Sequence, residues 1–350
     1  MKLQREELKR LMKNKLIQAG LREDHAEMTA EILTWSDERG YHSHGSVRVE
    51  YYSERIAKGG ITIEPKFEWK ETGPCSGIFE GDNGCGYVAM TLAAERAMEM
   101  AKRNGIAVVG VRNVSHTGSI GYYVELCAKR HLAAITFCQS DPMAVPYGGT
   151  EPYYGTNPIA FAAPAADGRN IVFDMATTVQ AWGKILDKRS RGEGIPPTWA
   201  VDEYGQPVTD PNKVNALVPI AGAKGYGLMM MVDIFSGVLL GVPFGRHVSS
   251  MYHDLSEGRN LGQILIVIDP ERFAGTALFE QGIAATMDEL GSMRPVEGQK
   301  KVYYPGERAE QRKTAAGEAG GIEIVDGIYE YLVSDQVHFD RYDHKNRFAD

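Results

Sequence analysis

Two apolar runs, 106–111 (IAVVGV) and 132–138 (LAAITFC), read as buried strands, and the polar segments that follow them constrain this chain most. After the first come Ser115 and His116 in a turn, then Gly118, Gly121 and a short helix over 122–129. The second delivers Gln139, Ser140, Asp141 and Pro142. Strands joined through a helix indicate an α/β fold, and such folds gather their chemistry at strand ends. If the two strands are neighbours, His116 and Asp141 meet there as an acid/base pair.

With 350 residues the chain can bury a real core in two or three lobes. A net charge of −8 argues against nucleic acid or an anionic membrane as partner, while leaving room for a basic pocket that takes an anionic metabolite. Cys75, Cys85, Cys127 and Cys138 form no CxxC pair, so reduced thiols and a cytoplasmic location are expected. The N-terminal stretch mixes acids and bases without an apolar signal core. The most hydrophobic run, 228–244, is broken by Asp233 and glycines and reads as a buried helix, not a membrane span.

Helical spacing of Leu8, Leu11, Met12 and Leu16 ends at Gly20, and a second helix is expected over 23–39. Next, YHSHGSVRVEYYSERIAKGG places His42, Ser43 and His44 in a turn before a helix over 46–58. On that helix Arg48 and Tyr52 share a face and could grip a substrate carboxylate; equally, Arg48 could pair with a glutamate on a solvated face. The His42-x-His44 spacing lacks the carboxylate of a metal motif, and no metal is expected. GDNGCG (81–86) is not GxGxxG, and no Rossmann fingerprint occurs anywhere. Strands are expected over 159–163 and 170–173, followed by a helix that Asp174 caps, with Met175, Ala176, Thr177 and Thr178 in its first turn. AGAKGYG (221–227) offers Lys224 at a phosphate-sized turn or is a plain loop. A Pro-Gly turn at 305–306 leads into a charged helix, 317–321 reads as a mobile glycine-rich stretch, and 322–332 as the last helix.

SHGSVRVEYYSERIAKGG, NVSHTGSIGYYV, CQSDPMAVPYGG, YYGTNPIAFAAP, FDMATTVQAWGKI, AKGYGLMMMVDIFSGVLLG and YYPGER together resemble the malate/L-lactate dehydrogenase type 2 family, nearly end to end and in the same order. That resemblance implies a non-Rossmann mixed sheet flanked by helices. It implies an N-terminal helical region (1–75) packed with 290–350, a central α/β region (76–120 and 240–289), and a nicotinamide-binding region (121–239). It further implies a homodimer with the active site near the subunit interface, and NAD as cofactor. CQSDPM, TTVQAWGK, GRHVSSMY and GRNLGQ resemble the branch acting on ureidoglycolate in allantoin catabolism. By motif match His116 takes the place of the catalytic base, with His44 as the possible acid. Ser43, Arg48 and Tyr52 fall around the substrate, and Asp141 either orients the imidazole or holds the nicotinamide amide. Ser140, Asp174, Met175, Ala176, Lys224, Gly306, Glu307 and Arg308 correspond to cofactor positions. The rival readings are a reductase of malate-, lactate- or diketogulonate-like 2-oxo acids, a metal-dependent hydrolase on His42, His44 and His116, and a non-catalytic carboxylate binder.

Overall fold

The strand that organises the molecule is the one whose side chains leave it no solvent face. LGQILIVI, at Leu261–Ile268, is apolar almost throughout and buried on both sides. It is the centre of a seven-stranded sheet in the computed structural model, which describes residues 1–343. We label the sheet strands β1 (Glu68–Gly73), β2 (Ser76–Glu80), β3 (Ile106–Val114), β4 (Ala133–Cys138), β5 (Ile159–Pro164), β6 (Asn170–Met175) and β7 (Leu261–Ile268). Their spatial order is β1-β2-β3-β7-β4-β5-β6, and only β2 and β3 run parallel. The sheet is therefore mixed, and the fold is α/β.

Ten helices accompany the sheet among the described residues: α1 (Arg5–Gln18), α2 (Glu23–Glu38), α3 (Val49–Ala57), α4 (Gly86–Asn104), α5 (Gly121–Ala128), α6 (Trp182–Ser190), α7 (Ala223–Ser236), α8 (Thr276–Ser292), α9 (Glu307–Glu318) and α10 (Asp326–Val333). The alanine-rich α4 buries Ala89, Ala93, Ala97 and Ala101 at helical spacing, so its backbone lies close to the sheet. N- and C-terminal segments meet where Lys2–Leu3 pairs antiparallel with Ile322–Glu323, and Lys15 Nζ donates to Gln336 O at 2.9 Å. Residues 344–350, part of the expected 290–350 segment, lie outside those described.

Four expectations change. β7 enters from far along the chain and separates β3 from β4, so the strands that deliver His116 and Asp141 are not neighbours. Asp174 does not start a helix: it pairs with Ala160 in the β5–β6 ladder, and Met175 with Ile159. Its carboxylate caps a different helix, accepting from Gly121 N at 2.8 Å where α5 begins. The apolar run after Leu228 is not wholly buried. α7 buries Met229 and Val232 but leaves Leu228, Ile234 and Phe235 at 38–46% exposure, and Val238 and Leu239 follow at 49% and 59%. Asp233 in its middle accepts from Gly245 N at 3.0 Å. Finally, Gly317 sits within α9, and 322–332 divides into the short strand and α10.

Candidate active site

The turn before α3 is built on one buried carboxylate. Asp37, near the end of α2, accepts from Ser46 N at 2.7 Å and from His42 Nδ1 at 3.0 Å. Gly45 runs directly over it, where any Cβ would overlap the carboxylate. This close approach explains the glycine of the SHG motif and fixes Ser43, His44 and Arg48 relative to α2. His42 is bonded to Asp37, and its side chain is exposed. The same ion pair raises its pKa.

His116 follows β3 in a turn that Ser115 secures by accepting from Gly86 N, 2.9 Å away, at the start of α4. Its Nδ1 lies 2.6 Å from Tyr52 Oη, and Tyr52 Oη lies 2.9 Å from Tyr87 Oη. Among the described residues Nε2 has no partner. The His44 ring stacks on it with centroids 5.7 Å apart, and His44 Nδ1 is held by Ser43 Oγ at 3.0 Å. Burial, followed by the nearby His44, Arg48 and Arg259, holds the His116 pKa well below its ordinary value. Burial and the Arg48 charge push His44 down to about 3. Both imidazoles are neutral at pH 7, which is the form a proton acceptor needs.

Arg48 donates through Nε to Ser43 O at 2.7 Å and through Nη1 to Tyr252 Oη at 2.7 Å. It has no carboxylate partner among the described residues, so the solvated ion-pair alternative is not what the fold builds. Nor does the expected Arg48–Tyr52 grip form as drawn, because the Tyr52 hydroxyl is occupied by His116 and Tyr87. Tyr252, from the turn before β7, stands beside the guanidinium instead. Of the two roles expected of Asp141, orienting the imidazole does not occur: the carboxylate binds the Arg259 guanidinium, accepts from Met251 N, and does not reach His116. Tyr52 takes the imidazole-orienting place, and Asp141 neutralises a buried arginine that would otherwise be uncompensated. Through Met251 and Arg259 it also anchors the segment carrying Tyr252. Sequence reasoning missed Tyr252, Tyr87 and Arg259; the first lay in the GRHVSSMY peptide, but nothing local marked its partner.

The positions matched to a cofactor converge around the end of β6. Ser140 Oγ meets Thr156 Oγ1 at 3.1 Å, and Asn157 joins Ser140 N (3.2 Å) to Met229 O (3.0 Å) on α7. Thr177, just past Met175 and Ala176, donates to Thr156 O, and Ile220 N donates back to Thr177 O. Lys224 is exposed in the first turn of α7, where free backbone N–H groups favour an anion. One Asp174 oxygen has no partner among the described residues, and burial pushes its pKa up to about 6. Val172 N donates to Pro305 O, which draws the 306–308 turn to the same strand. Gly306 has φ +91°, and a Cβ there would meet Val172 O at 2.8 Å. Glu307 is ion-paired to Lys301 yet leaves its buried Oε2 unpartnered among the described residues. Arg308 lies over the Tyr303 ring at 4.3 Å. A cavity of about 360 Å³ opens beside the 306–308 turn; of the cofactor-matched positions Gly306 and Glu307 line it, with Trp35, Arg39, Tyr41 and Tyr304.

Residues 3–333 match the family model described as malate/L-lactate dehydrogenase. The chain belongs to that family. This dehydrogenase is 56% identical over 351 residues to the ureidoglycolate dehydrogenase (NAD(+)) of Escherichia coli K12, covering all of both chains. It is 35% identical over 303 residues to a malate dehydrogenase of Pyrococcus horikoshii, covering 84% of this chain and 83% of that one. Among solved structures, the sulfolactate dehydrogenase of Methanocaldococcus jannaschii superposes with a TM-score of 0.88 at 34% identity, over 95% of each chain. The family's fold is thus the one described above.

Proposed function

We propose that this dehydrogenase oxidises (S)-ureidoglycolate to oxalurate with NAD. The observation that carries the reaction type is His116, tethered at Nδ1 to Tyr52 and without a partner at Nε2, near an arginine without a carboxylate, both among the described residues. The full-length likeness to the Escherichia coli enzyme supports the choice of substrate and of cofactor. NAD supplies the hydride acceptor when bound. The residues present suit it: Lys224 and the α7 N-terminus for phosphate charge, and Asp174 and the orphaned Glu307 Oε2 for hydroxyl or amine donors. Gly306 lets the backbone close against β6. Ser140, Met175, Ala176 and Arg308 complete this group by motif match.

His116 Nε2 takes the carbinol proton, and its neutral state lets it do so at pH 7. Arg48 holds the carboxylate through its unspent Nη2 and so selects the face of the carbinol presented. His44 and Ser43 sit at the same mouth, with His44 able to bind the substrate's remaining polar groups. In an assay with a panel of 2-hydroxy acids, ureidoglycolate with NAD should give the highest kcat/KM. A clear preference for malate, lactate or a diketogulonate-type acid, or for NADP, would move the assignment to another branch of the family.

α7 and the turn after it leave Leu228, Ile234, Phe235, Val238 and Leu239 exposed, and Phe244 is 40% exposed as well. A second copy of the chain covers them in our reading, giving a homodimer that brings the Lys224 end of α7 near the subunit boundary. Sedimentation should show a dimer, and Phe235→Glu combined with Leu239→Glu should give a monomer; a monomeric parent protein contradicts this. The four free thiols suit a cytoplasmic location.

A further inference from the structure

Beyond α10 the chain runs back to α3, and its attachment there is built on one buried carboxylate. Glu54, on α3, accepts from Arg341 N at 2.9 Å and from Tyr342 N at 3.1 Å, and Lys58 Nζ pairs with it at 2.9 Å. Lys58 also pairs with Asp340 (3.2 Å) and Asp343 (3.5 Å), and Asp343 in turn accepts from Asp254 N at 3.1 Å. The segment therefore ties α3 to the turn that carries Tyr252. Of residues 339–343 only Tyr342 is turned inward. Its ring stacks on Tyr252 (centroids 6.4 Å apart at 23°) and meets Tyr51 edge-on at 5.7 Å. Tyr51 also meets Tyr252 edge-on, at 5.7 Å, so the three rings bound one another.

Tyr252 Oη is the acceptor for Arg48 Nη1. With Nε bonded to Ser43 O as well, two bonds fix the plane of the guanidinium, and Nη2 is left for a ligand. A single bond would let the fork pivot about it, and a donor that must be ordered on binding loses affinity. We propose that segment 340–343 is a strap on the substrate side of the site, and that Tyr342 is a positioning residue which, by backing Tyr252, holds Arg48 in the orientation that receives the substrate carboxylate. The proposal deepens the dehydrogenase reading and rests on it for what Arg48 binds. The strap touches neither His116 nor the cofactor-matched positions, so its effect falls on carboxylate binding and not on the proton or hydride step.

Tyr342→Ala removes the ring and leaves both backbone bonds to Glu54 in place. The Kd for oxamate, a small carbonyl carboxylate, measured by calorimetry on the full chain with NADH bound, should rise about three- to tenfold, the worth of one net hydrogen bond. KM for the hydroxy acid should rise with it, while kcat and NAD affinity stay within about twofold of the parent. Tyr342→Phe, which keeps the ring contacts, should behave as the parent does. In a Tyr252→Phe background the bond to Arg48 is already gone, so Tyr342→Ala should there add less than about twofold to the oxamate Kd. An unchanged oxamate Kd in Tyr342→Ala, or a further loss of full size in the Tyr252→Phe background, overturns the proposal. A parent protein that binds oxamate but oxidises no 2-hydroxy acid with a nicotinamide overturns the dehydrogenase reading instead.

Discussion

His116→Ala should lower kcat by about 10²- to 10⁴-fold, the ordinary contribution of a positioned general base, while NAD binding by fluorescence titration stays within a few-fold of the parent. The separation follows from placement. His116 hangs from the β3 end and contacts Tyr52, whereas Ser140 follows β4 and Asp174, Lys224 and Glu307 are carried by β6, α7 and α9. Removing the imidazole leaves Tyr52 bonded to Tyr87, so the pocket keeps its walls. The depressed pKa sets the pH behaviour as well. A histidine whose charged form is disfavoured stays a competent base on descending through pH 6.5, so the parent's acid limb should lie below that value. Should His116→Ala retain turnover while His44→Ala loses it, the base is His44, whose pKa is pushed down to about 3 by the same surroundings.

Arg48→Ala should act on the substrate side. Truncating one member of a desolvated charge pair costs about 2–5 kcal/mol. At 1.4 kcal/mol per tenfold, KM for the hydroxy acid should rise roughly 30-fold or more. NAD affinity should hold, because no cofactor-matched residue bonds to Arg48; its partners are Ser43 O and Tyr252 Oη. Arg48→Lys should recover little, since a single ammonium cannot bond Ser43, Tyr252 and the substrate in one plane. A near-normal KM in Arg48→Ala would remove the arginine from carboxylate binding altogether.

The parts of this site that sequence made legible are those set by local chain. The strand ending before His116, the helix that follows it and the turn that holds His44 each depend on a dozen residues or fewer. The SHG turn was readable, whereas what demands its glycine, Asp37 beneath it, needed the fold. What sequence withheld are contacts between distant segments. Arg48 and Tyr252 are 204 residues apart, and Asp141 and Arg259 are 118 apart. β7 carries a continuous apolar run with no turn signal to reveal that it would insert between β3 and β4. Once it does, the Arg259 side chain meets Asp141 and the imidazole is left to a phenol. Asp174 shows the same limit from another side: its capping chemistry was visible, but the helix it caps begins 53 residues earlier, at Gly121.

The proposed reaction turns on where a neutral imidazole stands relative to the carbon that changes oxidation state. A crystal structure of the ternary complex with NAD and oxalurate, the oxidised acid, measures this directly. The expected result is His116 Nε2 within hydrogen-bond distance of the carbonyl oxygen, with the carboxylate on Arg48. An oxygen bonded to His44, or lying far from His116 in both subunits, would contradict it.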